Sequence, residues 1–159
     1  MTETRNDCLA LDANDSLVVA GSRWLSTSAT DVAIARYLAN GSSDPTFGTG
    51  GVRVTSLAPQ WPQSRATGIA IDQFGRYLLS VTAETANYSA GVFAAMRLTP
   101  VGGLDASFGD GGVALVSVDA RDHAIAVAID PISGSAVVGG ATRGASIATA
   151  RTVALRLIQ

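Results

Sequence analysis

The chain has 159 residues, 47% of them apolar and 15% charged, a balance that excludes a disordered tail and fits a folded chain with a buried core. Its formal net charge is −2 and its 11 basic residues, all arginine, are spread singly, so no basic face for nucleic acid or an anionic membrane surface is expected. One cysteine, Cys8, excludes an internal disulfide and a cysteine-rich metal cluster, and no apolar run is uninterrupted enough for a membrane-spanning helix.

Abundant Gly, Ala, Val, Ser and Thr, against two Trp, three Tyr and four Phe, favour short strands and tight turns over long helices. The opening MTETRNDCLALDAND carries acids where a secretory leader carries a basic run and an apolar stretch. If the natural protein is exported, this chain is expected to be its mature part or an internal piece.

CLALDANDSLVVAGS reads as a hairpin, with strands over 8–11 and 17–21 about a turn at Asp12-Ala13-Asn14-Asp15. It returns as GIAIDQFGRYLLSVTA, turning at Gly75, and as AVAIDPISGSAVVGGAT, turning at Pro131 and Gly134. The LALD, IAID and VAID strands begin at Leu9, Ile69 and Val127, spacings of 60 and 58. A connection of variable composition follows each hairpin (WLSTSAT, ETANYSAG, RGASIATAR) and is expected to be exposed loop.

A third strand comes next: VAIARYL from Val32, VFAAMRL from Val92 and TVALRLI from Thr152. These are apolar on both faces and are expected to be covered on both. Arg36, Arg97 and Arg156 recur within them, 61 and then 59 residues apart. After the first two lie the turn-rich segments 40–51, NGSSDPTFGTGG, and 101–112, VGGLDASFGDGG. Phe47 and Phe108 are their lone large apolar groups, expected to anchor the loops. The double Gly is expected at positive φ before a fourth strand, VRVTSL or VALVSV.

A period of about 60 residues, with four short antiparallel strands per unit and both faces apolar, points to an all-β chain of β-propeller-type blades. The blades are expected at about 7–58, 66–118 and 123–159, the third without its fourth strand. The hairpins should stand as successive sheets covering one another about a common axis, not woven into one sheet. A closed propeller takes roughly four to eight blades. The open faces and edges left here are expected to be covered by the rest of a longer chain or by a second copy that closes a ring.

On SDPTFGTGGVRV, LDASFGDGGVAL, LVVAGS, AVVGGA, AIARYLANG and AAMRLTPVG, which cover nearly the whole chain, the sequence resembles the delta-60 repeat family of bacterial tandem repeats. The resemblance implies propeller-forming repeats of a large bacterial surface or exported protein, with no agreed biochemical activity.

Four sets of residues are candidates for function. Arg36, Arg97 and Arg156, one per unit, could ring a channel and hold an anion; repeat symmetry favours pairing with acids such as Asp12, Asp72 and Asp130, which also recur. Asp44 and Asp105 are expected to accept N–H groups of the following turn, the alternative being calcium bound by Asp105, Asp110 and loop carbonyls. His123, beside Asp119 and Asp122, suits acid-base chemistry, yet no nucleophile motif and no second His accompanies it, so a loop-edge His is expected. Trp24, Trp61 and Tyr88 fall in variable segments, where they either stack on a ligand or cover blade edges.

No complete catalytic constellation and no cofactor or metal motif is present. The reading is a non-enzymatic repeat module for binding or spacing; its rival is a ligand-binding or enzymatic propeller with a site at the blade mouths. Gathering of His123, Asp122, Glu84 and Arg143 at one end would favour the rival, and scattering the scaffold.

Overall fold

The computed structural model describes residues 4–130, 132–144 and 150–157. Pro131 of the third hairpin turn, residues 145–149 of the third connection, and Ile158, expected in the last strand, lie outside them. Every regular element among the described residues is a β-strand.

The first meander is β1 (Thr4–Leu11), β2 (Leu17–Ser26), β3 (Ala29–Tyr37) and β4 (Val52–Thr55). The second is β5 (Gln63–Ile71), β6 (Tyr77–Glu84), β7 (Gly91–Leu98) and β8 (Val113–Val116). The third is β9 (Arg121–Ile129), β10 (Ala136–Arg143) and β11 (Arg151–Leu157). Within each meander consecutive strands pair antiparallel.

The hairpin strands run further than apolar alternation predicts. Thr4 pairs with Arg23, Gln63 with Glu84 and Arg121 with Arg143. These ends are polar and are held by the hydrogen-bond ladder, which leaves no hydrophobic signal in the sequence. Trp24 consequently lies in β2 opposite Thr30, not in a loop, and the first connection shrinks to a turn at residues 27–28.

The meanders are not separate sheets, contrary to expectation. Thr30 pairs with Gln63 and Gly91 with Arg121, each as a single parallel bridge, so the described strands join in one sheet, ordered β1-β2-β3-β5-β6-β7-β9-β10-β11 with β4 and β8 branching from β3 and β7. The return segment from β4 to β5 passes beside the start of β3, where Thr30 N donates to Pro62 O at 2.8 Å, and this proximity creates the bridge. Away from the bridges, successive meanders meet through side chains, as blades do.

Two cores fill the spaces between meanders. Val18, Ile34 and Phe47 of the first meander pack with Tyr77, Leu79 and Met96 of the second. On its other side the second meander puts Phe93 and Phe108 against Ala136 and Val138 of the third. The middle meander is thus covered on both faces, and every residue of β6 and β7 is buried. Burying each such Leu, Met or Phe is worth about 1.5–3 kcal/mol. The outward face of β1 leaves Leu9 67% and Leu11 65% exposed.

The loop glycines take the conformation their pairing demands. Gly50 and Gly51 have φ of 61° and 95°, and Gly111 and Gly112 have 59° and 102°, values open to few residues other than glycine. They return the chain into β4 and β8 and seat Phe47 and Phe108 at 0% and 2% exposure.

Candidate functional site

The repeated polar residues form clamps. Arg36 Nε donates to Asp44 Oδ2 at 2.8 Å, Nη2 reaches Thr46 Oγ1 at 3.1 Å, and the guanidinium lies 4.9 Å from the Phe47 ring centroid. Arg97 repeats this with Asp105 at 2.8 Å, Ser107 at 2.8 Å and Phe108 at 4.8 Å. The other carboxylate oxygen of each acid accepts the N–H two residues on, Thr46 at 2.9 Å and Ser107 at 3.1 Å. The hydroxyls of Thr46 and Ser107, then the Arg, hold the Asp44 and Asp105 carboxyls below the usual carboxylate range.

This arrangement corrects the expected partners of the first two arginines. Asp12 and Asp72 accept N–H groups of their own hairpin turns, from Asn14 and Ser16 at 2.8 and 2.9 Å, and from Phe74 and Arg76 at 2.9 Å each. Asp72 also takes Arg76 Nε at 2.6 Å. Asp44 and Asp105, eight residues beyond their arginines, wrap back onto them across the loop and take the place assigned to Asp12 and Asp72. Arg156 does bond Asp130, and Ser133 Oγ at 2.6 Å. Backbone N–H groups of Ile132 and Ser133, with Arg156 adding, keep the Asp130 carboxyl below its ordinary range.

The clamps differ in one respect. Arg36 Nη1 crosses to the second meander, donating to Tyr77 Oη at 2.8 Å and Pro100 O at 2.6 Å. Arg97 Nη1 is buried with no hydrogen-bond partner. Tyr77 opens β6 opposite Leu98, and the residue that opens β10 opposite Leu157 is Ala136, which has no hydroxyl to offer.

A second set of polar and aromatic groups collects elsewhere. Each hairpin's first strand carries a β-bulge: the pairing steps over Asp7 in β1, Thr67 in β5 and Ile125 in β9. Two residues earlier stand Arg5, Arg65 and His123, and these three line one depression of 370 Å³ with the bulged residues. Bulges bend a strand and re-aim its side chains, and they are enriched beside binding sites. Arg5 and Arg65 also border a second depression of 200 Å³, shared with Trp24, Gln63, Glu84 and Tyr88.

Trp24 and Tyr88 are 41% and 43% exposed. Arg5 Nε bonds Asp7 at 2.9 Å, whereas Arg65 has no ion-pair partner among the described residues. His123 Nε2 lies 3.8 Å from Glu84 Oε1. Trp61 lines neither depression; it packs half-buried against the first core.

His123, Glu84, Asp122 and Arg143 therefore share one end of the strands. Asp122 is fully buried and spent, accepting the Thr142 hydroxyl and the amides of Val118 at 2.6 Å and Asp119 at 3.2 Å. The Cys8 thiol is pushed up to about 11 by burial, with Asp7 adding, and is no nucleophile at neutral pH. Among the described residues no three His, Cys, Asp or Glu come together to hold a metal.

A larger depression of 390 Å³ lies between the second and third hairpin turns, beside Phe74, Arg76, Asp130 and Ile132. Its charges are occupied, Arg76 by Asp72 and by Asp105 at 3.5 Å, and Asp130 by Arg156. It offers a ligand less than the mouth does. Reading single residues missed Arg5 and Arg65; the 60- and 58-residue spacing that aligns Leu9, Ile69 and Val127 also aligns Arg5, Arg65 and His123.

The strands and their repetition define an all-β, partial β-propeller. A family model described as a domain of unknown function (DUF5122), beta-propeller, matches residues 13–47, from the first hairpin turn through β2 and β3 to Phe47. No curated protein and no solved structure matches the chain. No helix among the described residues is long and apolar enough to cross a membrane.

Proposed function

We propose that this chain is a non-enzymatic propeller-type module that binds a ligand at the mouth formed by β1, β5 and β9, as one part of a larger bacterial surface or exported protein of the delta-60 repeat type. One observation carries the reading. Arg36, Asp44, Arg97 and Asp105 are consumed in Arg–Asp–Phe clamps, while Trp24, Tyr88, Arg5, Arg65 and His123 line two adjoining depressions. Packing obeys a repeat's symmetry, and Trp24, Tyr88 and the exchange of Arg for His at position 123 break it at the mouth, as groups that recognise a ligand do.

The blades are taken as 7–58, 66–118 and 123–159. The exposed Leu9 and Leu11 face is covered by further blades of a longer chain or by a second copy.

A second reading, an enzymatic propeller, draws on the gathering of His123, Asp122, Glu84 and Arg143 at one end of the strands, the arrangement expected of it, and on the approach of His123 to Glu84 at 3.8 Å. It ranks lower because Asp122 is tied to backbone and Thr142, and no activated nucleophile lies beside the pair.

The test uses the full chain, immobilised and probed with a glycan and peptide array beside the Trp24→Ala/Arg65→Gln variant. Capture by the parent and loss by the variant support the mouth-binding module. Release of a chemically altered ligand would make it an enzyme, and capture unaffected by the double substitution would move binding off the mouth.

A further inference from the structure

Three strands, one from each meander, bring side chains to the mouth. Arg5, Arg65 and His123 each stand two residues before a bulge, and they line the same depression. Arg5 gives its Nε to Asp7, and its side chain remains 72% exposed. Arg65 is exposed and has no acid of its own among the described residues. A guanidinium in that situation is a planar donor fork awaiting an oxyanion.

The second depression adds a different chemistry. Trp24 projects from β2, and Tyr88 from the loop between β6 and β7. Tyr88 has φ of 56°, a left-handed conformation that a bulky residue rarely adopts. The surrounding loop enforces it: Tyr88 N donates to Thr85 O at 2.9 Å, and Thr85 N to Ala90 O at 3.0 Å. A glycine would occupy this position without strain, so a tyrosine held there is a candidate for recognition. Glu84, largely buried at the same depression, supplies a carboxylate for hydroxyl groups, while the Gln63 amide beside it is bonded to Thr30 and Thr27 at 3.4 Å each.

Two exposed aromatic side chains lining one depression, a carboxylate beside them and an adjoining cationic fork match one ligand class. We propose, resting on the mouth-binding reading above, that the mouth takes a uronate-bearing oligosaccharide. A sugar ring lies against Trp24 and Tyr88, and its neighbour's carboxylate is held by Arg65 and Arg5, with His123 flanking. A bare inorganic anion would leave the aromatic depression empty, and a neutral sugar would leave Arg65 unpaired.

Calorimetry with the full chain tests this, using trigalacturonate, a mannuronate trimer, the methyl-esterified galacturonate trimer and inorganic phosphate as probes. At least one uronate trimer is expected to bind, and the ester to bind about tenfold more weakly or worse, the value of one charge-assisted hydrogen bond. Arg65→Gln should cost a similar factor. Tyr88→Gly separates recognition from folding: it should weaken uronate binding while leaving the melting temperature unchanged or higher.

Failure of both uronate trimers to bind would overturn the proposal, as would equal affinity for acid and ester or binding indifferent to Arg65→Gln. Phosphate displacing the trimer at equal concentration would overturn it by reducing the site to an anion site. Capture of only neutral glycans or peptides on the array, lost in the Trp24/Arg65 variant, would remove the uronate while leaving the binding module standing.

Discussion

Arg36 and Arg97 show how one residue type at one repeat position is placed differently by a single neighbour. Both bond an acid eight residues on and lie over a Phe, but only Arg36 finds a tyrosine hydroxyl across the blade interface. Phe108, at 2% exposure, seats the loop beneath Arg97, so Phe108→Ala is expected to cost about 3–5 kcal/mol in chemical denaturation. His123→Ala, at a side chain 38% exposed, should stay within about 0.5 kcal/mol. Equal small losses from both would remove the anchored-loop account.

The clamp carboxyls also set a pH dependence. Asp44, Asp105 and Asp130 all titrate below the ordinary 3.8 when folded, so the unfolded chain binds more protons in that range. Their contribution is complete above the unfolded value and is lost as pH falls through the lower folded ones. An acid titration followed by circular dichroism should show stability falling below about pH 4. The fall should be shallower in Asp105→Asn, whose amide cannot take up that proton.

At the scale of single elements the bulges matter most, and they demand close backbone approach. A Cβ on Gly140 would lie 2.1 Å from His123 O and 2.6 Å from Phe93 Cε1, because the β9 bulge pushes that strand against β10. Gly139, its neighbour, has nothing within 4 Å of the same atom. Gly140→Ala is therefore expected to destabilise by about 1–3 kcal/mol, whereas Gly139→Ala should be neutral or slightly stabilising. Comparable denaturation midpoints for the two would show that the bulge does not constrain β10. The hairpins were legible as elements because LALD, IAID and VAID alternate and end at turn residues. The bulges were not, since an extra residue in a strand shows only against its partner.

For the molecule as a whole, stability should grade from the middle blade outward. β6 and β7 are buried along their length, while β11 alternates between exposed and partly buried. The interface of the third meander also lacks the Tyr77 latch that ties the first meander to the second. Hydrogen exchange is expected to be slowest in β6 and β7 and faster in β10 and β11, with the third meander opening at a lower free energy than the first two. Uniform protection across the three would mean that the blades unfold as one cooperative unit.

What the amino-acid order determined by itself is the repeat: its length, its all-β character, its turn glycines and the residues that recur in it. Those features are local or periodic, and a period can be counted without knowing what touches what. Tertiary structure alone decided the partners. Asp44 rather than Asp12 reaches Arg36, Trp24 stays within a strand, and Arg5 and Arg65 meet His123 and Tyr88 at one mouth. The reason is geometric, for each of those pairings depends on the loop path or on the stacking of blades distant in sequence; the period aligns Arg5, Arg65 and His123 but does not say that they meet.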